Sequence, residues 1–257
     1  MTMIQRMVNS EFKYAIGIGP AVPGGLVGFG FMGNNVGVNL YGDARFDAVG
    51  TIPKVSARIS TLGVNKYVKT PLIATPDFTY ISVAKCYLPA AGDNNLLIGD
   101  NLNINSAGTL INSSGILLTT SGVIGVVGVK NKTTGANTTY NASGTLGLPS
   151  GKANAAWKCL SQRVAVDGIA GGANSVSLKN ITDNLEAVRS KIDSTTLARQ
   201  TDLTKTINAG SMVDSSTQSN DYDHFGFLIY NRALTDAELL SAYNQLKVFG
   251  AKESLPF

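Results

Sequence analysis

Among side chains able to carry acid–base, nucleophilic or metal chemistry, glutamate, histidine and cysteine are scarce in this 257-residue chain: four glutamates (Glu11, Glu186, Glu238, Glu253), one histidine (His224) and two cysteines (Cys86, Cys159). Hydrolysis of a glycosidic bond needs two carboxyl groups held on either side of the scissile bond. No two glutamates are close in sequence and no strand-like stretch carries acids in alternation, so an enzyme of that kind is not expected. His224 sits in an apolar run with no serine or cysteine elbow to activate, and it reads as a structural histidine rather than a general base. One histidine and two distant cysteines cannot supply a regular tetrahedral zinc site. Gly28-Phe-Gly-Phe-Met-Gly33 has the spacing of a dinucleotide-binding loop, but that loop needs a helix behind it to face the pyrophosphate. Asn34 to Tyr41 is strand-like instead, so the glycines belong to ordinary β structure.

Binding chemistry is better represented. Asp93-Asn94-Asn95 with Asp100, or Asp221 with Asp223, offers hard oxygen ligands of the kind calcium takes. The same residue types are habitual turn formers, and both readings stand. Sugars are commonly held by an aromatic face beside amide and carboxylate groups. Tyr87, Tyr140 and Tyr222 stand next to such turns, so these tyrosines, with Asp93, Asn94 and Asn95, are the candidate carbohydrate-binding residues. Calcium is the one cofactor suggested.

These residues must be carried by short strands. Hydrophobic residues make up 44% and charged residues 15% of the chain, enough for a sizeable core and too apolar for disorder. Glycine, Asn, Ser and Thr are abundant, as expected of many strands joined by tight turns, and an all-β fold follows. Strands are predicted around Tyr67–Val68, Phe78–Cys86, Leu96–Ile98, Gly115–Thr119, Gly122–Lys130, Ala156–Val166 and Val176–Leu178. Between Asn180 and Thr206 the pattern suits helix or strand, and a strand is expected. In His224-Phe-Gly-Phe-Leu-Ile-Tyr230, Phe225, Phe227 and Ile229 alternate as in a buried strand. Thr235 with Glu238 three residues on forms a capping box that starts a short helix at Asp236, with Leu239, Leu240, Tyr243 and Leu246 toward a sheet.

Charge is uneven. No charged residue occurs from Tyr14 to Gly42, and no acidic one from Asn101 to Val166, although Lys130, Lys132, Lys152, Lys158 and Arg163 fall in that span. The basic residues are too thinly spread for nucleic-acid binding. Residues 16–32 are uncharged, but Pro20, Pro23 and Gly24-Gly25 would break a spanning helix, so strand, turn, strand is expected and no membrane span. Residues 1–35 are expected to form an N-terminal arm or added edge strands beside a domain of residues 36–257. No secretion signal is evident, and free thiols are expected at Cys86 and Cys159.

Three segments carry a resemblance. The closing strand, Tyr230-Asn-Arg-Ala-Leu-Thr turn and capped helix resemble the end of concanavalin A-like jelly rolls of the laminin-G-like group. Tyr67-Val-Lys-Thr-Pro followed by Phe78-Thr-Tyr-Ile-Ser-Val-Ala-Lys85 is similar to their early strand pair, with Val83 where tryptophan is common. Trp157 to Gly168, ending Val164-Ala-Val-Asp-Gly, resembles their central strands, and places Trp157 in the core. The matches span roughly residues 36–248. The resemblance implies a jelly-roll β-sandwich with a short C-terminal helix, serving as a non-enzymatic binding or packing module. Together with the composition it suggests the lectin-like part of a phage tail, spike or fibre, made in the host cytoplasm and residing in the virion. Other virion proteins, a homo-oligomer, most simply a trimer, and a cell-surface glycan are the partners implied. The alternative is a capsid or tail decoration protein with no glycan ligand.

Overall fold

A computed structural model describes residues 19–91, 93–100, 103–104, 110–111, 114–200, 205–211 and 220–257. Two antiparallel sheets stack face to face. The front sheet runs in the order β1 (Leu26–Phe31), β18 (Tyr222–Tyr230), β5 (Phe78–Cys86), β13 (Ala156–Val164), β14 (Asn174–Asn180) and β15 (Leu185–Ser190). β3 (Ser60–Leu62) pairs with the start of β18. The back sheet runs β11 (Asn137–Thr139), β10 (Gly122–Asn131), β9 (Ser114–Thr119), β6 (Asn94–Gly99), β17 (Asn208–Ala209), β4 (Tyr67–Lys69) and β2 (Asp47–Val49). β12 (Ala142–Gly144) and β16 (Leu197–Arg199) also pair with β10, and β7 (Asn103–Ile104) with β8 (Leu110–Ile111) makes a separate hairpin. Helix α1 (Asp236–Ala251) lies on the outer face of the front sheet.

Alternation in the long strands fills two layers. Phe78, Tyr80, Leu160, Val164, Leu178, Phe227 and Ile229 point between the sheets, where they meet Leu97, Ile98, Ile116, Leu118, Val123 and Val127. Phe29, Phe31, Ile81, Val83, Phe225 and Leu228 point the other way, into α1 through Leu239, Tyr243, Leu246 and Phe249. Cys86 belongs to the first layer and Cys159 to the second, so these thiols stay free and buried, and burial pushes Cys86 up to about 12. Hydrogen bonds cross the core from sheet to sheet: Tyr222 Oη donates to the Leu96 carbonyl, Gln162 Nε2 to the Val126 carbonyl, and Tyr80 Oη meets Ser114 Oγ.

The expected strand over 34–41 is replaced by an irregular loop. Gly33, Gly37 and Gly42 all take positive φ, which ends extended geometry on each side. Asn39 exploits this: its Oδ1 accepts from the Phe29 and Tyr41 amides, so a side chain occupies hydrogen-bonding positions along the edge of β1. Gly28 and Gly30 are needed for packing, since a Cβ at Gly30 would lie 2.8 Å from the Phe227 ring. Of the expected strand–turn–strand over 16–32, residues 16–18 lie outside the described residues, as does the N-terminal arm up to residue 18; residues 19–25 run without a strand into a turn, and β1 is the second strand.

The turn after β18 is built as the sequence implies. Thr235 caps α1, accepting from the Glu238 amide while the Glu238 carboxylate accepts from the Thr235 amide. Arg232 clamps the same carboxylate with two nitrogens, and these donors hold Glu238 down at about 2. Thr235→Ala is expected to cost about 1 kcal/mol, read as a lower urea midpoint at unchanged slope. No helix among the described residues is long and apolar enough to cross a membrane.

Candidate functional site

The six residues expected to bind carbohydrate divide between the two ends of the sandwich. At one end, where β18 starts and β5 finishes, Tyr87, Asn95 and Tyr222 are core residues with 2%, 0% and 2% exposure. Tyr222 is a tie between the sheets, and Asn95 faces inward because it stands opposite Leu118 in the β6–β9 ladder. Burial raises the Tyr87 hydroxyl above its ordinary range; the neighbouring Asn95 amide opposes this, and the carboxylates of Asp221 and Asp93 add to it. Asp93, Asn95 and Asp221 therefore stand around a buried tyrosine rather than an open aromatic face. Tyr87 and Tyr222 cannot stack on a sugar in this arrangement, a correction to the expected site.

The calcium candidates are also dispersed. Asp93 and Asp100 stand at opposite ends of β6, an extended strand of six residues, and Asp100 is buried where it accepts from Ser114 Oγ. Asp221 is paired with Lys66, and Asp223 accepts from Thr61 Oγ1. Among the described residues no group of three or more His, Cys, Asp or Glu side chains could hold a metal ion.

Acid–base groups are engaged structurally. Glu186 accepts from Ser177 and Arg163, Glu238 caps α1, and Glu253 accepts from Ser56 and Arg58, while Glu11 lies outside the described residues. His224 is fully buried, with Nε2 2.9 Å from Ser82 Oγ, and desolvation lowers it to about 3. A narrow recess between the sheets, lined by Val27, Ile73, Phe78, Tyr80, Ile207 and Ile229, contains no charged group.

Tyr140 is different. It follows β11 at the opposite end, half-buried at the seam where edge strand β15 folds against the back sheet. Along β15, Leu185 approaches Gly147, Ala187 approaches Gly144, and Arg189 lays its guanidinium 4.8 Å above the Tyr140 ring. Tyr140 Oη is fixed by Ser190 Oγ at 2.8 Å and the Lys191 carbonyl at 3.3 Å. Arg189 is exposed and makes no ion pair among the described residues. Lys191 is exposed beside it.

Searches against known families and against curated proteins find no match. Solved structures do match in shape. The botulinum neurotoxin serotype D ligand-binding domain in complex with N-acetylneuraminic acid superposes with a TM-score of 0.57 at 9% identity, over 88% of this chain and 52% of that one. The Trypanosoma rangeli sialidase in complex with sialic acid gives 0.55 at 14% identity, over 84% of this chain and 32% of that one. The receptor-binding domain of botulinum neurotoxin mosaic serotype C/D gives 0.56 at 10% identity, over 87% and 52%. The fold is a lectin-like β-sandwich. This chain thus spans about half the length of the toxin structures and a third of the sialidase.

In this lectin-like frame, the Tyr140–Arg189 pair can do one thing well. A guanidinium held over a ring is fixed at low entropic cost, with its N–H edges turned to donate to a carboxylate in a forked pair. Arg189 escaped the sequence reading because its contact with Tyr140 joins edges 49 residues apart. The only hint was an exposed arginine in a strand with little apolar pattern.

Proposed function

We propose that this chain is a non-enzymatic carbohydrate-binding module, the lectin-like part of a phage tail or spike, which takes an acidic sugar of a host surface at the Tyr140–Arg189 seam. The observation that carries this reading is the exposed guanidinium 4.8 Å over the Tyr140 ring, with no ion pair among the described residues. The lectin-like fold supports it, and so does the presence of sialic acid in two structures of similar shape. Buried thiols fit a protein folded in a reducing cytoplasm before assembly into a virion with other structural proteins. Binding, rather than hydrolysis, suits a chain whose described glutamates are all held by arginine, serine or a helix cap.

Glycan-array binding, followed by titration of the best ligand, tests the proposal. Carboxylate-bearing glycans should bind, Arg189→Ala should weaken them at least about 10-fold, and Arg189→Lys should restore only part, since lysine lacks the fork. Tyr140→Ala should lose a similar factor with little change in thermal stability. No binding to any glycan, with the protein seen as a repeating part of a tail or capsid lattice, would replace this reading by a decoration role.

A further inference from the structure

Helix α1 is apolar on two sides. Its inner face, Leu239, Ala242, Tyr243, Leu246 and Phe249, is buried on the front sheet. Its outer face carries Ala237, Leu240, Asn244, Val248 and Ala251, all exposed, with Leu240 at 53% and Val248 at 56%. A surface helix normally turns charge to water there, yet the only charged residue among the outward positions between Leu240 and Ala251 is Lys247. That ammonium is drawn aside, 5.4 Å from the Tyr243 ring.

The stripe has an internal symmetry that selects its occupant. Leu240 and Val248 stand four residues either side of Asn244, and Ala237 and Ala251 seven residues either side. At 3.6 residues per turn all five lie within about 40° of one line along the helix. A second helix laid antiparallel, with a two-fold axis beside Asn244, brings Leu240 level with Val248 of the other copy and Ala237 level with Ala251. The alanines let the backbones approach closely, and two Asn244 amides can exchange reciprocal N–H···O=C bonds. At the rims, Asp236, which also accepts from Arg163 of its own chain, and Lys252 stand eight residues either side of the centre, so each end sets a carboxylate level with an ammonium. Antiparallel helices also align their dipoles favourably. Such a surface complements itself, the property of an isologous contact.

We propose that the outer face of α1 is a docking surface for a second copy of this chain, packed antiparallel about Asn244. The helix is roughly 24 Å long, so the pair buries less than the ~800 Å² per partner of a stable interface, and association is weak. An isologous contact closes as a pair; a trimer of this chain would need a different interface.

Sedimentation equilibrium of the whole protein from about 1 to 500 µM tests this, with an expected dissociation constant on the order of 10–100 µM. Leu240→Glu should weaken the dimer at least about 10-fold without moving the melting temperature, and Asn244→Leu should tighten it by a similar factor. Asn244→Cys should form an intermolecular disulfide on mild oxidation far faster than Gln245→Cys, which sits off the stripe. A monomer throughout the range overturns the proposal. So does a dimer or trimer that Leu240→Glu leaves intact, or equal crosslinking at the two cysteine positions. Glycan binding by Arg189 is read separately and does not depend on the outcome.

Discussion

Phe31→Ala is expected to destabilise the fold by about 3–5 kcal/mol, the largest single loss we foresee. Phe31 is 1% exposed and is the hub of the layer that joins α1 to the front sheet. Its ring meets Phe29 at 5.0 Å, Phe225 at 4.9 Å and the helix residue Phe249 edge-on at 5.2 Å. Room for it comes from Gly226 on the neighbouring strand, where a Cβ would stand 2.8 Å from the Phe31 ring. Truncation removes the transfer energy of a whole ring and three aromatic contacts, each worth about 0.5–1.5 kcal/mol beyond area. The neighbouring strand β18 is paired on both sides, with β1 and β5, and so cannot close fully into the void. Urea unfolding should show the lower midpoint at unchanged slope, and the near-UV signal of the aromatic layer should weaken while the β signature persists. A loss below about 1 kcal/mol would mean that the helix layer contributes little to the sandwich.

That layer shows which parts of the molecule local sequence could specify. The capping box at Thr235 and Glu238 needs only residues three apart, so its geometry was legible. The buried strands β5, β13 and β18 announce themselves because both faces are covered and β-branched and aromatic residues repeat. Residues 185–190 gave no clear period because nearly every side chain of β15 is exposed, leaving burial no pattern to impose. The sequence over 34–41 reads as strand because its polarity alternates; what breaks it is the left-handed backbone of Gly33, Gly37 and Gly42, which composition does not display. The expected binding site failed for a related reason. Tyr87 and Tyr222 neighbour polar turns in sequence, but β6 carries Asn95 and the Leu96 carbonyl beneath them and draws both hydroxyl-bearing rings inward. Only Tyr140, at a seam between edges, keeps an outward setting.

Acidification is expected to remove about 3 kcal/mol of stability between pH 7.5 and pH 4 through His224 alone. The side chain is enclosed between Tyr222 and Phe227, with Ser82 as its hydrogen-bond partner and no carboxylate in contact. Burial lowers its folded value to about 3, whereas the unfolded chain takes up a proton near the ordinary value of about 6.5. Below that value the unfolded state binds the extra proton and the folded state does not. Stability is therefore fully present above about pH 6.5 and is lost progressively as pH falls toward 3. Glu238 acts in a separate window: held near 2 by Arg232 and the Thr235 amide, it contributes stability that is lost only below its ordinary value of 4.5. Between pH 6.5 and 4.5 the slope should belong to His224. His224→Gln keeps a neutral polar group against Ser82 and should lower stability by a constant amount while flattening that part of the profile. Denaturant midpoints measured at half-unit intervals decide the matter; an equal slope in the variant would show that the proton enters elsewhere.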